Sequence, residues 1–253
     1  MTATFIGIDL AWSVAKNNTG VAVLRGGKSG ARLVESMVGV ASMRELVAFA
    51  EQHATDATVI AIDAPLIVTN ATGSRPCEVD VGRQFGTFHA SCHSNNLTRT
   101  PDPAGVRLVA ELIARGFKHD LDLTRAKRRN GRWLFEVYPH PAMVRLFNLE
   151  QIIRYKKGRV AEKRAGLGQL QTYLQTLTTR EPGLKESPRL QALLGQDRAV
   201  LRGEALKAYE DSLDALFCAY LAYHCWYWGA ERNEMIGDLE TGYIVVPKQS
   251  KVG

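Results

Sequence analysis

TFIGIDLAW (residues 4–12) and TVIAIDAPL (58–66) share one pattern: a short apolar run with strand character ends in Ile-Asp and then breaks. An ionised carboxylate at the end of a buried strand is costly unless it is paired, hydrogen-bonded or bound to a cation. The second run is uninterrupted, as in strands of sheets covered on both faces. The first opens a three-strand meander, continued by GVAVLRGG (20–27), with its Gly-Gly turn signal, and ARLVESMVG (31–39). Between meander and second run, SMRELVAFAEQHA (42–54) predicts a helix with Ser42 as N-cap and Glu45 completing a capping box. Strand, hairpin, helix and strand make a mixed sheet with a crossover, hence an α/β fold. If the two Ile-Asp strands lie side by side and parallel, Asp9 and Asp63 emerge at one carboxyl edge, where open α/β sheets bind ligands.

The rest of the chain extends this frame. Residues 64–103 are rich in Gly, Pro, Ser and Asn, and a connection of that length is functional or mobile. AGVRLVAELIARG (104–116) predicts a helix, and WLFEVYP (133–139) a strand stopped by Pro139 and Pro141. Residues 142–205 read as a polar, helical insertion or cap within a single domain spanning 1–253. GEALKAYEDSLDALFCAYLAYHCWYW (203–228) reads as one long helix, and TGYIVVP (241–247) as an added edge strand.

Composition narrows the class. The 253 residues are 45% hydrophobic and 23% charged, ordinary for a soluble globular protein. A formal charge of +6 permits a polyanionic partner without demanding one. The four cysteines form no CxxC pair, so HASCH (89–93) reads as a loop with reduced thiols rather than a metal cluster of His89, Cys92 and His93. ALFCAYLAYHCWYWGA (215–230) is too short and too aromatic to span a bilayer, and no signal-peptide pattern opens the chain. The expectation is a soluble, cytoplasmic, reduced protein with no membrane partner.

The long helix carries Asp211 and Asp214 three residues apart, on one face that continues through Ala215, Cys218, Leu221, Ala222 and Cys225. That face is mostly small and apolar, so it suits close packing on the sheet and turns both acids toward the core edge. Taken singly, a strand-end Asp is an ordinary turn former, and helix acids are an ordinary solvated face. Four acids at one edge would repel one another unless divalent cations sat among them. Hard oxygen ligands suit Mg²⁺ or Mn²⁺, and two such ions about 4 Å apart clamp the oxygens of a phosphoryl displacement.

Five blocks, GIDLAW…GVAVL, IAIDAPL, FEVYPHPA, YKKGRVAEKRAGL and EDSLDALFCAY, resemble those of domain-of-unknown-function family 429 over nearly the whole chain. That family is described as predicted nucleases of the ribonuclease-H-like superfamily, akin to the RuvC Holliday-junction resolvases. The resemblance implies an RNase H-like five-stranded core and a two-metal-ion hydrolase. It implies Asp9, Asp63, Asp211 and Asp214 as ligands to two Mg²⁺ or Mn²⁺ ions. Glu136, in another family block, is a further ligand, a base for water or a satisfied strand-end acid, and His140 a proton shuttle or a structural histidine. Between Cys77 and Asn96 the chain departs from the family's Arg-rich pattern while keeping Arg83.

Two basic segments suit a phosphate backbone. One holds Arg125, Lys127, Arg128, Arg129 and Arg132; the other Arg154, Lys156, Lys157, Arg159, Lys163 and Arg164. Trp133 and Tyr155 stand nearby as base-stacking candidates. The expected contacts to substrate are Arg83, Lys156, Lys157 and Arg159. The expected partner is nucleic acid, DNA or RNA, with oligomeric state open and a homodimer included. Two other readings stand beside the nuclease: a catalytically silent binding domain, and an ATP-using enzyme of the actin and sugar-kinase type. Against the latter, DLAWSVAKN (9–17) lacks paired glycines.

Overall fold

The computed structural model describes residues 2–11 and 19–249. The meander forms as β1 (Ala3–Asp9), β2 (Thr19–Gly27) and β3 (Gly30–Val40), followed by α1 (Met43–His53) and β4 (Ala57–Asp63). Ser42 caps α1 by accepting from the Glu45 N–H, and the Glu45 carboxylate accepts from the Ala41 N–H at 3.0 Å. Then come α2 (Pro76–Phe85), α3 (Ala104–Ile113), the single turn α4 (Leu123–Ala126) and β5 (Gly131–Glu136). The order in the sheet is β3-β2-β1-β4-β5, antiparallel on the meander side and parallel from β1 through β4 to β5. This is the α/β mixed sheet expected, and its topology is consistent with an RNase H-like fold.

Strand alternation divides the core in two. Ile6, Ile8, Ile60, Ile62 and Leu134 face one way and pack with α1 and α3. Phe5, Val59, Ala61, Trp133 and Phe135 face the other way. That second face is covered by α5 (Pro139–Phe147), α6 (Val160–Gln175), α7 (Pro188–Leu194) and above all α8 (Gly203–Trp228). The helix α8 is buried on nearly all sides from Leu206 to Tyr227, rather than along one stripe. It lies close because Gly7 and Gly20 have no side chain: a Cβ on Gly7 would strike the Ala215 carbonyl and the Ala219 N–H.

Three elements differ from the sequence reading. Residues 64–103 contain α2, begun by Pro76 at the first helical position, where its missing N–H is no loss. Pro139 likewise starts α5 instead of only ending a strand. TGYIVVP forms β7 (Gly242–Pro247), but its ladder is with β6 (Asn233–Asp238) in a separate two-stranded sheet, and a lone bridge joins Val245 to Val137. Most of DLAWSVAKN (9–17), the stretch weighed for a phosphate-binding turn, falls in 12–18, outside the described residues. Among the described residues no helix is long and apolar enough to cross a membrane. Cys77, Cys92, Cys218 and Cys225 are all free thiols.

Candidate active site at the carboxyl edge of the sheet

Strand register sets the first two acids. Asp9 and Asp63 are direct partners in the parallel β1–β4 pair, so both side chains leave the same face at the same edge. That face is the one α8 covers, and α8 brings Asp211 and Asp214 to it, both buried. The four acids are electrostatic neighbours. Burial raises the Asp9 carboxyl well above the usual range; Lys156 opposes this, while Asp214, Asp63 and Asp211 add to it. Burial also pushes Asp63 up to about 7, with Lys156 lowering it and Asp214 raising it. Asp211 is raised by burial, against the lowering effect of its contact with Lys207, and Asp214 adds to the rise.

Two lysines and a tyrosine complete the cluster. The Lys156 Nζ lies 2.9 Å from Asp214 Oδ2, its side chain still 30% exposed. Tyr155 donates its hydroxyl to Asp214 Oδ1 at 2.6 Å. Lys207 donates to Asp211 Oδ1 at 2.6 Å and to Glu210 Oε1 at 2.7 Å. Burial works to lower Lys156, but Asp214, Tyr155, Asp9 and Asp63 together hold it well above the ordinary lysine range. Lys156, read from sequence as a substrate contact, therefore sits on the acids themselves. Lys207 was missed, although its spacing of three and four residues from Glu210 and Asp211 could have revealed it. Nothing in the residues alone marked Tyr155 as a partner of Asp214.

Whether a hard cation suits the site follows from its donors. They are all carboxylate oxygens; among the described residues Oδ2 of Asp211 is buried without a hydrogen-bond donor, while Oδ2 of Asp214 faces only the Lys156 ammonium. Among the described residues, no three His, Cys, Asp or Glu side chains form a preformed metal cage. Mg²⁺ needs none, since it commonly takes one or two carboxylates and completes its shell with water and substrate phosphate. The donor chemistry fits such an ion, while Lys156 and Lys207 hold part of the positive charge.

Glu136 borders the same cleft and its charge helps raise Asp63, but its own partners are different. It is in register with Ile62, one residue out of phase with Asp63, so its side chain leaves the opposite face. There it accepts from both terminal nitrogens of Arg75, at 2.9 and 2.6 Å, and from the Leu66 N–H at 2.8 Å. Arg75 also donates to Glu78, whose carboxylate accepts from Asn95. This buried network ties the 64–96 segment to the end of β5. Both Arg75 and Glu78 escaped the sequence reading because a buried arginine has no local signature.

The acids open into a cleft of about 1240 Å³, walled by His89, His93, Asn95, Tyr138, His140 and Lys157 among others. Burial lowers His140 to about 4. Its buried Nδ1 has no partner among the described residues, and its ring stands 5.7 Å from those of Tyr138 and Tyr155. Of the expected substrate contacts, Lys157 reaches the cleft wall. Arg83 does not: it pairs with Asp80 at 2.8 Å on the outer side of α2, its side chain 75% exposed. Arg159, exposed at the start of α6, does not line the cleft either. Trp133 and Tyr155 are fully buried and present no face on which an incoming base could stack. In the first basic segment, Lys127, Arg125 and Arg129 pair with Glu231, Asp122 and Asp120.

A mixed five-stranded sheet whose two central parallel strands each end in an acid, faced by two more on a long covering helix, defines an α/β protein of RNase H-like topology. Within that class the chain belongs to DUF429, a family described as protein of unknown function, whose model matches residues 7–238. No curated protein matches it.

Proposed function

We propose that the protein is a metal-dependent nuclease hydrolysing phosphodiester bonds at the carboxyl edge of its sheet. The observation that carries this reading is the convergence of Asp9, Asp63, Asp211 and Asp214, drawn from three elements into electrostatic contact, the helix pair buried and the strand pair half-buried. So much negative charge under one roof is stable only against positive charge or with protons taken up. Bound among these carboxylates, two Mg²⁺ or Mn²⁺ ions would supply an activated water and stabilise the attacking and leaving oxygens. Tyr155 fixes the orientation of Asp214. Lys157, on the cleft wall, is placed to hold a phosphate of the nucleic-acid backbone. The test is cleavage of a panel of DNA and RNA substrates with and without Mg²⁺ or Mn²⁺. The expected result is metal-dependent cleavage by the wild type and none by Asp9→Asn; equal activity of the two removes this mechanism.

A second reading is favoured by one specific observation. Lys156 and Lys207 already pair with Asp214 and Asp211, an arrangement that also suits a nucleic-acid-binding domain without catalysis. On that reading the wild type binds oligonucleotides but cleaves none, and saturating Mg²⁺ leaves its melting temperature unchanged.

A further inference from the structure

The end of the sheet opposite the acids holds a second hollow. It measures about 700 Å³ and is lined by Arg25, Lys28, Arg32, Arg128 and Lys185, with Trp226 behind them. No Asp or Glu lines it. Among the described residues none of these five cations takes part in an ion pair. They come from three separate parts of the chain: the β2–β3 hairpin, the segment after α4, and the segment between α6 and α7. A solvated basic face has no reason to gather cations from three segments into one concavity.

Three details show charge and donors left without a counterpart. Arg25 and Arg32 are direct partners across the antiparallel β2–β3 pair, an opposition of like charges that destabilises a sheet. Arg128 adopts φ 56° and lays its guanidinium 4.8 Å over the Tyr227 ring, yet among the described residues its buried Nε meets no acceptor. A donor left unmet in this way is costly. The hairpin turn closes between Gly27 and Gly30, and the Lys185 side chain lies over Gly30, its Nζ 3.4 Å from the neutral Ser29 hydroxyl, so a cation from a distant segment is held on the turn.

We propose that this hollow is a binding site for a phosphate group, distinct from the acid edge. A compact anion of more than one charge and several acceptor oxygens answers all three details at once. It separates Arg25 from Arg32, accepts from guanidinium forks, and draws on a field focused by a concave wall. The hollow is walled partly by Thr2, and β1 runs from there to Asp9, so the two sites lie about 20 Å apart. The assignment does not depend on the nuclease reading.

The experiment is a titration with inorganic phosphate in magnesium-free buffer at constant ionic strength, followed by amide resonances in ¹⁵N-labelled protein. Saturable shifts confined to residues 25–32, 128 and 185, absent at Asp9, Asp63 and Asp211, are expected. Affinity should fall at least tenfold in the Arg25→Gln/Arg32→Gln double variant, whose substituted side chains are exposed and whose fold the same spectra verify. Parallel titrations with a 5′-mononucleotide and with an oligonucleotide lacking terminal phosphates identify the source of the phosphate by which binds more tightly. Shifts that chloride reproduces, that never saturate, or that persist in the double variant overturn the proposal.

Discussion

Asp63 and His224 show how two buried side chains tilt the same protein toward opposite ends of the pH scale. Burial raises the Asp63 carboxyl from 3.8 to about 7, so between those values the folded chain holds a proton that the unfolded chain has released. The stability this proton gives is complete below pH 4 and lost as the pH rises through 7. His224 runs the other way: burial lowers it from 6.5 to about 4, with Nδ1 2.8 Å from Asn233 Oδ1. Its contribution is complete above pH 6.5 and lost toward pH 4, on the order of 3 kcal/mol. Urea unfolding at several pH values checks both. Asp63→Asn is expected to be more stable than wild type at pH 8, with the gap closing toward pH 4. His224→Asn should flatten the acid limb between pH 6.5 and 4. A gap for Asp63→Asn that is constant with pH would show that burial does not strain this carboxyl.

Between elements, the decisive contact is that of α8 with β1 and β2, and Gly7 permits it. Adding one methyl in Gly7→Ala forces backbone apart rather than a flexible side-chain tip. The expected loss is about 3 kcal/mol in chemical denaturation. Nuclease activity, where present, should fall with it, because the same helix carries Asp211 and Asp214. Most elements were legible in the sequence. Apolar runs and the Ser42–Glu45 cap define the meander, α1 and β4, and the range of α8 was read as 203–228. The departures have a physical cause. In α2 and α5, proline serves as a helix start where a scan for breakers reads an end. The separate β6–β7 hairpin depends on where the chain lies after α8, which no local pattern encodes.

Over the whole molecule, one helix acts as the hub of the larger core. Hydrogen exchange of the intact protein should find α8, β1 and β4 most protected and opening together with global unfolding, while residues 86–103 exchange sooner. Faster exchange in α8 than in α3 would refute this ordering. The acids of the candidate site were legible because strand ends and helix spacing carry them. Their counter-charges were less so: Lys156 and Tyr155 enter from the segment between α5 and α6, and only tertiary folding brings that segment to Asp214. Chain order adds a consequence for biosynthesis. The strands bearing Asp9 and Asp63 leave the ribosome before α8, whose first residue, Gly203, follows the end of β4 at Asp63 by a long stretch of chain. Until α8 emerges Phe5, Trp133 and Phe135 lack their main cover, and a nascent chain in that state is a client for chaperones. The acid cluster is completed only when this late helix docks, so a stalled or truncated chain carries half of it and the sticky face as well.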